Sequence, residues 1–162
     1  MQLPKRKHPR LKAYDYSESG VYFLTVCTKN KVHSLGEIVG RGDLTPPLTV
    51  LTATGKKVCK IIQTMSEAYH NVRLLHFVVM PNHIHILLEL SPDVGGVGSP
   101  RPTQTSVPNI IKGFKAMTRR ACGSSLWQTG YYDHIIRNDA DLQTHWTYID
   151  ENSAKWADDA YF

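Results

Sequence analysis

The stretch from Val72 to Leu90 constrains the fold more than any other part of the chain. Val72 to Val79 and His83 to Leu90 are rich in β-branched and other apolar residues, and Met80-Pro81-Asn82 between them suits a tight connection. The expectation is an antiparallel pair in the middle of a sheet. Side chains alternate along a strand, so His83 and His85 share one face while Ile84 and Ile86 share the other. Two imidazoles spaced in this way on a rigid strand can chelate one divalent ion. The same spacing also describes a pair of surface histidines on a half-exposed strand.

The remaining elements follow from periodicity and punctuation. Val21 to Thr28 reads as a first strand, closed by the turn residues Lys29-Asn30-Lys31. Gly40, Gly42, Pro46 and Pro47 predict an irregular excursion after Leu35. Leu51, Gly55, Val58, Ile62, Met65 and Tyr69 then recur at helical spacing, with Lys56, Lys57, Lys60 and Glu67 elsewhere on the wheel. Residues 91–106 hold Pro92, Gly95, Gly96, Gly98, Pro100 and Pro102 and predict a flexible loop.

Ser106 with Pro108 signals a second helix, on which Ile110, Phe114, Met117 and Ala121 form an apolar stripe and Lys112, Lys115 and Arg119 a basic one, ending at Gly123. Tyr131 to Arg137 reads as a fourth strand. Asn138 or Asp139 then caps a third helix that runs past Tyr148. The order β-α-β-β-α-β plus a helix predicts an α+β, ferredoxin-like antiparallel sheet with helices on one face.

Composition bounds the setting. A chain of 162 residues fits a single domain, residues 1–162, and the formal charge of +5 leans toward a polyanionic partner. The basic leader, residues 1–18, with Lys5, Arg6, Lys7 and Arg10, is either an arm on nucleic acid or a solvated tail. It lacks the apolar stretch of a secretory signal, and no later run reaches bilayer length, so no membrane partner is expected. Cys27, Cys59 and Cys122 contain no C-x-x-C, which argues against a disulfide framework and for a cytoplasmic home.

On the third helix Leu142, Trp146 and Ile149 form the expected buried stripe, and His145, Tyr148 and Asn152 an adjacent face. Tyr148 is a nucleophile if a neighbouring metal or base activates its phenol, and otherwise a partly packed aromatic. Trp127, Tyr131 and Tyr132 belong to the core or its edge, or stack on bases. His76 and His134 lie on strands and are taken as structural or supporting.

His83-Ile84-His85 after Met80-Pro81-Asn82, then Trp127-Gln128, then Tyr148 followed four residues later by Asn152, resemble the HUH single-tyrosine transposases, and within them the REP-associated tyrosine transposases. The resemblance spans roughly Val21 to Trp156. It implies that His83, His85 and Asn152 hold a divalent ion, Mg²⁺ or Mn²⁺, and that Tyr148 is the catalytic nucleophile. The implied partner is single-stranded DNA with hairpin or palindromic elements, cut through a 5′-phosphotyrosine intermediate and rejoined without ATP.

Lys112, Lys115, Arg119 and Arg120 would track the DNA backbone; a solvated helix face is the plainer alternative. Family members commonly follow this asparagine with proline, where Ser153 stands here. A homodimer and a monomer are both compatible with the resemblance. A hairpin-binding regulator that does not cut is the competing function. A ferredoxin-like RNA-binding domain fits less well, because its central strands would carry aromatics where this chain has histidines.

Overall fold

The structure, a computed structural model, describes residues 14–40, 45–92 and 105–156. Lys5, Arg6, Lys7 and Arg10 of the leader and residues 93–104 of the expected loop lie outside the described residues. In chain order the elements are β1 (Gly20–Cys27), β2 (Gly36–Val39), β3 (Leu48–Leu51), α1 (Ala53–Gln63), α2 (Met65–Ala68), β4 (Val72–Val79), β5 (His83–Leu90), α3 (Val107–Cys122), β6 (Tyr132–Ile136) and α4 (Asp139–Asp150). The main sheet is antiparallel with order β4-β5-β1-β6, which is the ferredoxin-like arrangement.

Alternation along β1 and β5 gives the sheet two different faces. One carries Tyr22, Leu24, Val26, Ile84, Ile86 and Leu88, all fully buried and packed with Val58 and Ile62 of α1 and Ile110 and Phe114 of α3. The other carries Phe23 and Leu87, which pack with Ile149 of α4. Each such buried side chain contributes roughly 1.5–3 kcal/mol. The two helices α1 and α3 thus share one face, as the ferredoxin-like expectation has it, and the additional helix α4 covers the other. The extra helix has its own apolar contacts and lies on the face that carries His83 and His85. Within the hairpin β5 is an inner strand while β4 lies at the sheet edge, so only one of the two occupies the middle.

Three further expectations change. The excursion after Leu35 contains a two-stranded ribbon, β2 paired with β3, because Val39 before the glycines and prolines and Leu48, Thr49 and Val50 after them supply strand-forming residues. Leu51 ends that ribbon. The helix begins after Thr52, whose hydroxyl accepts from the Gly55 N–H at 3.0 Å. It stops at Gln63, leaving Met65 in the short α2 and Tyr69 extended.

On α3 the Ser106 cap, the early proline and the Gly123 stop at φ +76° are as the sequence predicts. Its buried side is rotated, however, to Val107, Ile110, Ile111, Phe114 and Thr118, while Ala121 is exposed. The cause is Trp127, whose buried Nε1–H donates to Thr118 Oγ1 at 2.8 Å and draws that position inward. Trp127 and Tyr131 are core residues. On α4 His145 and Ile149 are buried, whereas Leu142 and Trp146 are only half-buried. No disulfide joins Cys27, Cys59 and Cys122, and among the described residues no helix is long and apolar enough to cross a membrane.

Candidate functional site

His83 and His85 project from β5 onto the α4 face and are both fully buried. Their Nε2 atoms stand 3.1 Å apart. Each ring is held from behind at Nδ1. Asn82 Oδ1 lies 2.7 Å from His83 Nδ1, and Thr25 Oγ1, directly across the β1–β5 register, lies 2.7 Å from His85 Nδ1. Burial pushes His83 down to about 3, against a hydrogen bond with the Asn152 side chain that works the other way, and the Lys31 charge lowers it further. Burial also holds His85 well below the ordinary imidazole range, with His83 and His145 adding to the effect. At neutral pH both rings are therefore neutral, which is the form that ligates metal.

Tyr148 reaches the same place from α4. Its ring centroid lies 5.2 Å from that of His85, edge to face, and 6.0 Å from Phe23. Asn152 falls in the turn just past α4, where it is buried and its N–H donates to Ile149 O at 3.3 Å. Ser153 secures this turn, its hydroxyl lying 3.0 Å from Thr49 Oγ1 on the β2–β3 ribbon. Trp156 closes over His83, the rings 6.0 Å apart and 15° from parallel. All four residues predicted for catalysis and metal binding are thus brought together.

The donor set fits a divalent ion. Two ligand atoms each about 2.1 Å from one ion, at right to tetrahedral angles, are separated by about 3.0–3.4 Å, and the two Nε2 atoms have that separation. His83 and His85 could hold the ion, with Asn152 beside them as an amide donor.

Residues 49–152 match the family described as "Transposase IS200 like". The chain belongs to that transposase family. A relative in Haemophilus influenzae, named only as an uncharacterized protein, is 30% identical over 97% of this chain and 93% of its own length. A second from the same organism, named as a REP-associated tyrosine transposase, is 23% identical over 87% of this chain and 74% of its own. The fold is similar to that of a REP-associated tyrosine transposase solved bound to a REP hairpin. The two share 22% identity with a TM-score of 0.60, over 91% of this chain and 74% of that one.

This transposase-family chain places its predicted DNA-binding cations on α3. Lys112, Arg119 and Arg120 are exposed. Lys115 differs, because its ammonium donates to the carbonyls of Gln128 at 2.7 Å, Gly130 at 3.0 Å and Thr129 at 3.4 Å. It clamps the loop before β6. With Arg119 and Arg120 it lines an open groove of about 600 Å³ on the α3 side of the molecule.

A second cluster was not singled out from the sequence. His134 on β6 and Asp141 and His145 on α4 place their donor atoms within 4.8 Å of one another, a group that could hold a metal ion. In this arrangement Asp141 serves both rings, at 2.9 Å to His134 Nε2 and 3.1 Å to His145 Nδ1, and the two rings stack 4.5 Å apart. His145 Nδ1 also donates to the main-chain oxygen of Asp141 at 2.9 Å, which commits that nitrogen as a donor. The periodicity i, i+4 linking Asp141 to His145 was available as a signal. Thr25 carried none, since its position opposite His85 depends on strand register.

Proposed function

We propose that this chain is a metal-dependent endonuclease and strand transferase of single-stranded DNA at hairpins. In this reading His83, His85 and Asn152 hold Mg²⁺ or Mn²⁺. The observation that carries it is the Tyr148 ring 5.2 Å from His85, whose Nε2 is 3.1 Å from that of His83, in a member of a transposase family. When bound, the ion supplies positive charge that polarises a phosphodiester.

The chain's own residues do the rest. Tyr148 Oη attacks phosphorus as its phenolic proton departs, the bond from phosphorus to the 3′-oxygen breaks, and the 3′-oxygen takes up a proton. The 5′-phosphotyrosine that results conserves the energy of the broken bond. A second 3′-hydroxyl can attack it and release Tyr148, so joining needs no ATP. Phe23 and Ile149 fix the helix that carries Tyr148 against its own sheet, which supports action within one subunit. Lys112, Arg119 and Arg120 offer the DNA backbone three exposed cations on one helix. The structural neighbour was solved with a REP hairpin, which supports hairpin DNA as the substrate class.

The test is incubation with labelled single-stranded hairpins carrying flanking strands, in Mn²⁺ or EDTA, with wild type and Tyr148→Phe. The expected result is an adduct stable on a denaturing gel that requires the metal and is absent from the variant. Tight hairpin binding with no adduct under any metal would replace the enzyme with a regulator that grips DNA without cutting it.

A further inference from the structure

We propose that His76 is a positioning residue for Tyr148, brought onto the α4 face by a bulge in β4 so that it fixes the roll of that helix; its part in cleavage rests on the reading above. Leu74 pairs with Leu88 across the β4–β5 register and His76 with Leu87, so Leu75 is an extra residue. Strict alternation from Leu74, which packs on the α1 and α3 side, would send His76 to that side as well. The bulge instead presents Leu75 and His76 together to α4. Leu75 packs on the cluster of Phe23, Leu87 and Ile149, and His76 meets the flank of the helix.

His76 holds two positions one helical turn apart. Its ring stacks on Trp146, centroids 4.6 Å apart and planes 22° from parallel, and its Nε2–H donates to Asp150 Oδ1 at 2.7 Å. Trp146 and Asp150 share a flank of α4 as an i, i+4 pair. At about 100° per residue, Ile149 turns toward the sheet and Tyr148 falls on the opposite flank. The latch on one flank therefore sets the orientation of the ring on the other.

Apolar burial does not supply this orientation by itself. The contact of Ile149 with Phe23 and Leu87 is non-directional and tolerates a roll of the helix, and the His134–Asp141 bond acts in the first turn of α4, at the far end from Asp150. A ring tip roughly 6 Å from the helix axis moves by about 1 Å when the helix rolls by about 10°. Where a nucleophile must meet phosphorus, a displacement of that size costs on the order of 100-fold in rate. The make-up of the latch suits aim better than stability. Asp150 is 56% exposed, where a charged pair contributes little to folding, and it is the last residue of α4, where a carboxylate opposes the helix dipole.

The experiment compares the full chain with its His76→Ala, His76→Gln and Asp150→Ala variants. Adduct formation is timed in single turnover at saturating hairpin and Mn²⁺, beside the affinity for each. His76→Ala is expected to slow the adduct by about 10–100-fold while hairpin and Mn²⁺ affinities stay within about threefold. His76→Gln, whose amide still donates to Asp150, is expected to recover most of the rate. Asp150→Ala should match His76→Ala, and the double variant should be no slower than either alone. A wild-type rate in His76→Ala overturns the proposal, as do affinities that fall along with the rate, a His76→Gln no faster than His76→Ala, or additive losses in the double variant.

A second readout does not depend on cleavage. In the chain carrying ¹³C-labelled tyrosine rings, the Tyr148 signal is identified by its loss in Tyr148→Phe and is displaced by the His85 ring 5.2 Å away. His76→Ala is expected to move or broaden it, and to leave in place the signals of Tyr22 and Tyr131 in the α1 and α3 core. An unmoved Tyr148 signal overturns the proposal. Equal movement of all three marks a general loosening of the fold and overturns it too. If the wild type forms no adduct with any metal, the cleavage reading falls, and the spectra alone decide whether His76 places Tyr148. Should His76→Ala fail to fold, Asp150→Ala removes the same bond from the helix side, and its rate and spectrum decide.

Discussion

His134 on the edge strand β6 and Asp141 in the first turn of α4 are joined from Nε2 to Oδ2 at 2.9 Å, which ties the helix carrying Tyr148 to its own sheet. The same carboxylate accepts from the Arg137 N–H at 3.0 Å. Burial works to raise the Asp141 carboxyl, but the His134 and Arg137 hydrogen bonds outweigh it and hold the group below its ordinary value. Removing the carboxylate therefore leaves donors at both ends of the β6–α4 connection. Asp141→Ala is expected to cost about 1–2 kcal/mol in urea unfolding, and Asp141→Asn less, since its oxygen still accepts. Adduct formation by Tyr148 is expected to fall further than hairpin affinity, because the helix and not the basic face has been loosened. Equal stability of Asp141→Ala and wild type would show that apolar contacts alone hold α4.

Gly55 stands where α1 touches the segment leading to the site. A Cβ there would lie 1.8 Å from the Leu35 main-chain oxygen, a separation no side chain can occupy. The same Leu35 donates its N–H to Pro81 O at 3.0 Å, beside Asn82 and His83. Gly55→Ala must push Leu35 away, or shift α1, and either movement reaches the turn that supports His83. The expected outcome is a loss of several kcal/mol in chemical unfolding. Weaker Mn²⁺ binding in whatever folded fraction remains is expected with it. A folded variant of unchanged stability would mean that the start of α1 is freely displaced.

Lys115 separates two meanings of a positive charge. Its three carbonyl partners make it a structural residue first, whereas Lys112 and Arg119 are exposed. Lys115→Met is expected to destabilise the fold by about 1–2 kcal/mol by releasing the 128–130 carbonyls. Lys112→Met and Arg119→Ala should each change stability by less than about 0.5 kcal/mol while weakening hairpin binding and reducing its salt dependence by roughly one phosphate contact. Filter binding across a salt series, alongside urea melts, distinguishes the two classes. Stability loss from Lys112→Met would contradict the assignment.

What could be seen in the sequence was what depends on local period. His83 and His85 share a face because strand alternation is fixed by the backbone, and Ser106, Gly123 and Asn138 mark helix ends by their own chemistry. Features set by distant parts of the chain were hidden. Thr25 opposite His85 depends on register. The ribbon β2–β3 is built from two short strands separated by glycine and proline, a composition that reads as a loop. Lys115 looks in sequence like any other helical cation, because its carbonyl partners come from a loop beyond the helix end. The inward turn of Thr118 follows from Trp127, which is also beyond α3.

The buried imidazoles give the protein an acid limit whose sign can be worked out. The folded value of His83 is about 3 and that of His85 is also depressed, both beneath the unfolded value near 6.5. Below that unfolded value the denatured chain binds protons that the native chain refuses. Stability is therefore complete above about pH 6.5 and declines as pH falls, at about 1.4 kcal/mol per pH unit for each such histidine, until the folded value is reached. For His83 the window runs from about 6.5 down to about 3, so roughly 2 kcal/mol should be lost by pH 5. His83→Gln removes that titration. Its stability at pH 7.5 falls through lost packing and hydrogen bonds, but its further loss between pH 7.5 and pH 5 should be shallower than in wild type by about that amount. Urea midpoints and slopes across the range measure it. Parallel declines in wild type and variant would mean that His83 protonates in the folded chain as readily as in water, which a fully buried ring beside His85 does not permit.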